Sequence, residues 1–594
     1  MKILLINPGG SSPIAPPLGL ATIYSHMRGL GHDVTQIDLS AELTHHMLDP
    51  DNVARWYALG RSRRQLLRLR MALLACKGLL LGSKLDFSAY RKMEKDGAEL
   101  ARLATGSKKT LAMLRRVWSP SGYVNLDKDY KAAVGAATDA LAFASRVLPG
   151  WSIEMAKGTM NLSPRMFEED PFDGYYRQQL IPKIRAMRPN LLAISMTYLS
   201  QLAFTLTLLH ALRSAGIDCP FVTGGSAFSI ICRMQAAVVE RNVADQGPWK
   251  YLMRQLSQPF GIRDEGEIGF ASLCRALETG GEVTSVPNLV RRDGTAEVVM
   301  NPIGPPPSAD QFPEVSFDGL PVGLKYLSPR PFLPLLTSRG CYWRKCAFCE
   351  ESSGQYLKDD WREIPHERIV ANLERLERAH GALIVNFCDR AMSPRMVRAL
   401  SEQILDRGLH VQWGTMVRFD APLGRHLPLA ARAGCSYFGV GMESACQRVL
   451  DRMKKGYHPE TVQRLIDECA GLGIRVHLSI IFGFPGETRD EARKTIQFIT
   501  RNSHKVFSLL SNPWWPQIGS DVVCHPEAFG VSFGEARGSG TCSPIYSVDS
   551  GLTHDEAQAI HREFMNDPLV RDKLILGQRE FLPDEHRYLL SIVE

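Results

Sequence analysis

Across "SRGCYWRKCAFCEESSG" (338–354) the chain places Cys341, Cys346 and Cys349 within nine residues, with aromatic and basic residues between them. No fourth cysteine lies close by; the next is Cys388. Three thiolates can hold a four-iron cluster by three of its corners and leave the fourth iron open to a ligand. An open coordination position is what turns a structural metal group into a reactive one. The same trio could instead make three-quarters of a zinc site completed by a distant histidine such as His366 or His410, or could be buried thiols that only pack. Spacing alone leaves these readings open.

The cysteines follow "FLPLLTSRG", an apolar run that reads as a strand. Similar runs recur at helix-plus-loop spacing: "ALIVNFCDR", "LHVQWGTMVRFD", "CSYFGVGMES", "IRVHLSIIFGFPGET" and, as a sixth, "KVFSLLSNPWW". Amphipathic segments separate them. In "PHERIVANLERLERAHG", Pro365 can open a helix, and Ile369, Leu373 and Leu376 share one face. The pattern predicts a partial (β/α)6 barrel over 329–515, with the cysteines in the loop after its first strand, at the end where such folds carry their chemistry.

A second set of elements precedes the barrel. "KILLINP", "LGLATIYSHMRGLG" and "HDVTQIDLS" read as strand, helix and strand, and the alternation resumes at "PNLLAISMTYLS", "CPFVTGGSAFS" and "FGIRDEGEIGFASLCRAL". This predicts an α/β, Rossmann-like domain over 1–300, a parallel sheet with helices on both faces. It is interrupted by an insertion of about 50–175 whose Leu, Ala, Arg and Lys content favours helix. After Gly280 the chain reads as polar and proline-rich, ending in a linker over 301–328. A small C-terminal domain, 516–594, carries helical segments such as "THDEAQAIHREFMND".

Composition bounds the setting. The 13 cysteines are odd in number and scattered, and "MKILLINPGG" lacks a signal-peptide pattern, so a reducing cytoplasm is expected. The formal charge of +7 is local: Arg55 to Arg116 holds sixteen Lys or Arg against four Asp or Glu. Such a face suits an acidic peptide, a phosphorylated intermediate or a membrane surface, or is simply solvated. The most apolar stretch, Leu66 to Gly82, is broken by Arg68, Arg70 and Lys77, so no spanning helix is expected. No RNA-binding module is recognisable, and nucleic acid is not an expected partner.

These motifs together resemble the radical SAM enzymes. Phe348 stands before the third cysteine as their favoured aromatic does, "VGMES" (440–444) looks like their fourth-strand motif, and "IIFGFPGET" (480–488) like their fifth. "FCDR" and "MVRFD" fall where the second and third strands carry further contacts. One departure is the first cysteine gap, which has four residues rather than the usual three. The resemblance implies a 4Fe–4S cluster on Cys341, Cys346 and Cys349, with S-adenosylmethionine (SAM) at its open iron. Contacts to SAM would then come from Phe348, Asp389, Arg418, Glu443 and Ser479, with Glu443 toward the methionyl end, since a carboxylate suits an ammonium and a guanidinium a carboxylate.

The sheet ahead of the barrel is similar to that of the cobalamin-binding members, the class B radical SAM methyltransferase type, through "PPLGLA", "AISMTYLS", "TGGSAF" and "RDEGE". Pro17, Leu18, Ser195, Thr197, Gly224 and Gly225 are the implied cobalamin contacts, although paired glycines after a strand are often only a tight turn. No D-x-H-x-x-G motif is present to supply an imidazole to cobalt.

The implied activity is C-methylation: reduced cluster cleaves SAM to a 5′-deoxyadenosyl radical, the radical takes hydrogen from an unactivated carbon, and methylcobalamin delivers the methyl group. The acceptor would be a peptide or small-molecule natural-product intermediate, the electron donor a ferredoxin or flavodoxin, and the enzyme a monomer. No side chain is assigned as catalytic; Tyr342 and Trp343 could line the substrate pocket or merely pack. Cyclisation, oxidation or rearrangement uses the same parts, and a non-catalytic corrinoid carrier is the alternative outside enzymology.

Overall fold

The computed structural model describes residues 1–11, 14–58, 107–119, 122–123, 136, 170, 172–240, 255–256, 259–293, 297–322, 326, 328, 330–350, 361–517, 519–534 and 546–571. Two parallel sheets organise these residues. The first contains β1 (Lys2–Asn7), β2 (Asp33–Asp38), β3 (Leu191–Ser195), β4 (Phe221–Gly224) and β5 (Phe260–Ile262), followed by β6 (Leu289–Arg292) and β7 (Val298–Met300). Their spatial order is β2-β1-β3-β4-β5-β6-β7. β1 to β5 pair in parallel; β6 and β7 join antiparallel at the edge. Ile3, Leu4, Leu5 and Ile6 are all at most 2% exposed, as expected of a central strand covered on both faces.

The order reverses between β1 and β3. At such a switch point the connecting helices leave on opposite faces and open a crevice beyond the strands' carboxyl ends. The β6–β7 hairpin corrects the reading of 280–300 as a polar passage. Leu289 and Val290 are fully buried, but the strands are three and four residues long and their arginines mask the apolar signal. Most of the predicted helical insertion, with Arg68, Arg70 and Lys77, lies outside the described residues; helix Ser107–Val117 is the longest part of it that is described.

The second sheet runs in chain order: β8 (Phe332–Leu335), β9 (Leu383–Met392), β10 (Val411–Val417), β11 (Cys435–Glu443), β12 (Arg475–Phe482) and β13 (Val506–Pro513), all parallel. These are the six strands expected of an open (β/α)6 barrel. Helix His366–His380 follows Pro365 and buries Ile369, Leu373 and Leu376, as its spacing predicts. In the tail, helix His554–Asn566 opens on a capping box in which Thr553 and Glu556 satisfy each other's backbone N–H groups. Leu5 and Phe270 of the first sheet's layers share one apolar core with Leu333 and Phe387 of the barrel, so the two halves are packed together. Among the described residues no helix is long and apolar enough to cross a membrane.

Candidate functional site

The loop that carries the three cysteines is closed at its base. Ser338–Arg339, just beyond β8, pairs antiparallel with Arg362–Glu363, so the chain leaves and re-enters at one point. Asp389 of β9 anchors the outgoing strand. Its Oδ1 accepts from Thr337 Oγ1 at 2.8 Å, Ser338 Oγ at 2.8 Å and the Ser338 N–H at 2.6 Å, and both carboxylate oxygens accept from the Thr337 N–H at 3.1 Å. Burial pushes the Asp389 carboxyl up to about 6 against those hydrogen bonds. Expected as a cofactor contact, Asp389 thus turns its carboxylate to the chain and holds the root of the loop.

Further along, the Cys349 N–H donates to Cys346 O at 3.0 Å, making a tight turn around the fully buried Ala347. Ala347 is stitched on both sides: its N–H donates to Met453 O at 2.9 Å, and its carbonyl accepts from the Val522 N–H at 3.1 Å. Cys341, Cys346 and Cys349 are each partly exposed. Among the described residues no group of three or more His, Cys, Asp or Glu is set to hold a single metal ion. A cluster presents separate irons and takes one thiolate on each, so it suits thiols spread along a loop. Of the histidines weighed for a zinc site, His410 lies at the start of β10, at the opposite end of the barrel, paired with Glu377 at 3.0 Å; His366 pairs with Glu367.

Cations gather at Cys346. Burial pushes its thiol up, while the positive charges of Lys455 and Arg418 pull it back. Lys455 Nζ lies 2.9 Å from Glu443 Oε1 and 5.5 Å from the Phe348 ring centre. Burial alone would lower the lysine pKa, but Glu443, Tyr457 and Cys346 together outweigh it and the ammonium is held charged. Arg418 donates to Asp420 from Nε and Nη2, both at 3.1 Å, and to Lys455 O at 2.6 Å. Its guanidinium lies 4.1 Å from the Trp343 ring centre. Trp343 Nε1 donates to Lys454 O at 2.9 Å, and Tyr342 Oη to Asp420 Oδ2 at 3.0 Å, so both aromatics brace the loop. Ser479 faces Gly441 in register, two residues from Glu443. Glu443 itself takes a left-handed φ of 65° at a register shift of β11, which turns its carboxylate off the strand's regular alternation.

A cavity of about 590 Å³ opens at the β1/β3 switch point and is closed on its far side by the barrel. Pro17, Leu18, Ser195, Thr197, Gly224 and Gly225 all line it; Cys388 and Arg390 of β9 do so from the barrel. Gly225 has φ +100°, and a Cβ there would stand 2.4 Å from Met196 O. The tight-turn reading therefore holds for Gly225, and the same turn forms cavity wall. Asn7, also on the wall, donates to Asp38 Oδ1 at 2.7 Å and accepts from Gln201 Nε2 at 2.9 Å, which ties the ends of β1 and β2 to the helix after β3.

Residues 335–499 match the family model described as the Radical SAM superfamily. This segment is a radical SAM domain. The fold of the whole chain is similar to that of the radical S-adenosylmethionine methyltransferase TsrM from Kitasatospora setae, solved with cobalamin and a 4Fe–4S cluster bound. The TM-score is 0.58 at 15% identity, covering 100% of this chain and 95% of that one. The cobalamin-dependent S-adenosylmethionine radical enzyme OxsB, solved with aqua-cobalamin and S-adenosylmethionine, matches with a TM-score of 0.51 at 16% identity over 69% of this chain and 63% of its own. Among curated sequences, an uncharacterized methyltransferase of Pyrococcus horikoshii is 31% identical over 40% of this chain and 51% of its own. The anaerobic magnesium-protoporphyrin IX monomethyl ester cyclase of Rubrivivax gelatinosus is 24% identical over 46% and 48%. The chain spans about half the length of these curated relatives.

Within the radical SAM domain the structure brings Phe348, Arg418 and Glu443 around Cys346, and the six residues expected on the first domain around one cavity. Lys455 escaped notice because it follows β11 in a surface-like "MKKGY" run, where neighbouring Lys454 is exposed and only register decides which lysine turns inward. Glu265, Glu267 and Arg339 were also missed as partners. Their charges lie 72 and 74 residues apart, a separation that no local pattern bridges.

Proposed function

We propose that the chain is a cobalamin-dependent radical SAM enzyme, a C-methyltransferase acting on an unactivated carbon of a peptide or natural-product intermediate. The observation that carries this reading is the meeting of two sites: a cysteine loop ringed by cations and a switch-point cavity whose far wall is the barrel itself.

Cys341, Cys346 and Cys349 would hold the cluster, and the Glu443 carboxylate and Arg418 and Ser479 would meet SAM. Pro17, Leu18, Ser195, Thr197, Gly224 and Gly225 would hold cobalamin; they offer two hydroxyls, apolar surface and a backbone with no Cβ in the way, which fits a large, mostly uncharged macrocycle. Bound there, the cluster supplies an electron that breaks a carbon–sulfur bond of SAM and the corrinoid supplies a methyl group, chemistry that no side chain can perform.

The chain's own residues orient and shield. Asp389 and the ribbon fix where the loop starts, and Ala347 fixes its middle. Lys455 and Arg418 offset the negative charge of thiolates in a place largely closed to water. Cys388 and Arg390 stand on the barrel wall of the cavity, where a substrate lying between the two cofactors would pass. The domains 1–300, 329–515 and 516–594 divide this labour, and a one-electron donor such as a ferredoxin or flavodoxin would serve it. The cyclase among the relatives supports a second reading, ring formation on the same two cofactors without methyl transfer.

The test is anaerobic reconstitution with iron, sulfide and hydroxocobalamin, then SAM and a reductant. A corrinoid absorbance that survives gel filtration, iron that falls on Cys349→Ala, and release of 5′-deoxyadenosine are expected. Zinc in the loop, or a protein that retains no corrinoid, overturns the reading.

A further inference from the structure

Arg339 stands two residues before Cys341 and reaches the other domain. Nη1 lies 2.5 Å from Glu265 Oε2, and Nη2 bonds Glu267 Oε1. Glu265 is shared: Arg362 donates to Glu265 Oε2 at 3.1 Å and also bonds its Oε1. Arg339 and Arg362 are themselves register partners in the ribbon that closes the cysteine loop. One carboxylate of the first domain therefore clamps both strands at the loop's base. Both guanidinium groups lie over the Phe312 ring, at 4.3 and 5.2 Å from its centre. The group is mostly buried, with side-chain exposure of 18% for Arg339 and Glu265, 11% for Arg362 and 3% for Glu267.

Glu265, Gly266, Glu267 and Arg339 also line the switch-point cavity. Glu267 lies in the first turn of helix Gly266–Thr279, packed beneath β5, so it cannot follow the barrel independently of the sheet. An occupant of the cavity bears on a segment that is held, through one forked guanidinium, to the backbone leading directly into Cys341. Arg, with its planar fork, holds two carboxylates in a fixed geometry; Lys, a point charge on a flexible stem, does not.

We propose that Arg339 is a positioning residue that couples the two cofactor sites, so that filling the corrinoid cavity tightens SAM binding at the cysteine loop and SAM tightens corrinoid binding by the same factor. This rests on the cobalamin and SAM reading above. Reciprocity is a thermodynamic requirement, and couplings of this kind are typically about 5–150-fold.

The experiment uses the full-length protein with its cluster rebuilt anaerobically. The affinity for hydroxocobalamin is measured by equilibrium dialysis with and without SAM, and that for radiolabelled SAM with and without hydroxocobalamin, with no turnover. In the wild type a shared factor of about 5 or more is expected. In Arg339→Lys the factor should fall toward one, and in Glu267→Gln, a near-isosteric change that leaves Arg339 paired with Glu265, it should fall in part. The factor is a ratio, so changes in absolute affinity cancel. A factor unchanged in both variants, or a factor of one in a wild type that binds both ligands, overturns the coupling while leaving the cofactor reading standing. A wild type that takes up no corrinoid overturns that reading and the coupling with it.

Discussion

Lys455 Nζ lies 2.9 Å from Glu443 Oε1, and both side chains are less than a tenth exposed. Removing one member of such a pair leaves the other charged and desolvated, which costs about 3–5 kcal/mol. Lys455→Met is expected to lose that much in urea unfolding of the apo-protein under reducing conditions, and to retain less iron on reconstitution because Cys346 loses the cation that acts on it most strongly. Lys455→Met with Glu443→Gln should recover most of the stability, since neither charge is then stranded. Simple addition of the two single losses would show that the pair is not coupled.

Asp389 gives a prediction with a sign in pH. Its folded pKa of about 6 lies above the ordinary carboxylate value of 3.8, so the folded protein holds a proton that the unfolded chain has released. Stability associated with this group is full below about pH 4 and is lost as pH rises toward 6. Asp389→Asn keeps an oxygen that can accept from Thr337 and Ser338 and should flatten this part of the curve; Asp389→Ala should release the root of the cysteine loop and lose iron. The check is the wild-type minus Asn difference in unfolding free energy across pH 4–7, beside iron content. No slope in that difference would count against a buried, titrating Asp389.

The barrel was legible in the sequence because each of its strands is a buried apolar run and the longer helices between them are amphipathic. Ile369, Leu373 and Leu376 announce one helix face, and the run from Leu333 to Leu335 announces the strand that delivers the cysteines. What could not be read is what pairs across long separations. Asp389 sits in a "FCDR" motif that suggests a ligand contact, yet the structure turns it toward Thr337, because β9 places it beside β8 with the hydroxyls of that turn facing it. The β6–β7 hairpin was missed since strands this short carry too few residues for alternation to show. The six cavity residues follow from the resemblance to the cobalamin-binding members, and Ser195, Thr197, Gly224 and Gly225 also stand at strand ends, where sheets of this class open binding crevices.

Gly225 should be far less replaceable than its neighbour. Its φ of +100° disfavours any side chain, and an added Cβ meets Met196 O at 2.4 Å, backbone that cannot swing aside. At Gly224 the nearest atom would be Ile262 O at 3.3 Å, a tight contact with no such φ. Gly225→Ala is expected to cost more than about 1 kcal/mol and to weaken hydroxocobalamin retention, with Gly224→Ala milder in stability. Equal melting temperatures for the two variants would contradict the strained turn.

Glu487 lies where "GFPGET" turns out of β12, and it is the more demanding test of burial. Its Oε2 accepts from the Gly483 N–H at 2.5 Å, while Oε1 is buried with no hydrogen-bond partner among the described residues. Burial pushes the carboxyl from 4.5 up to about 8, so at neutral pH much of it is protonated in the folded state and ionised in the unfolded one. The unfolded chain binds fewer protons across this window, so stability present below about pH 4.5 is lost progressively as pH rises to about 8. Glu487→Gln cannot ionise and keeps an acceptor for Gly483, so its stability relative to wild type should climb by about 2–4 kcal/mol between pH 5 and 8. Asp389 titrates equally in both proteins, and its contribution therefore cancels in the difference. A wild-type minus Gln difference that stays level from pH 5 to 8 would place Glu487 in contact with water and contradict its burial.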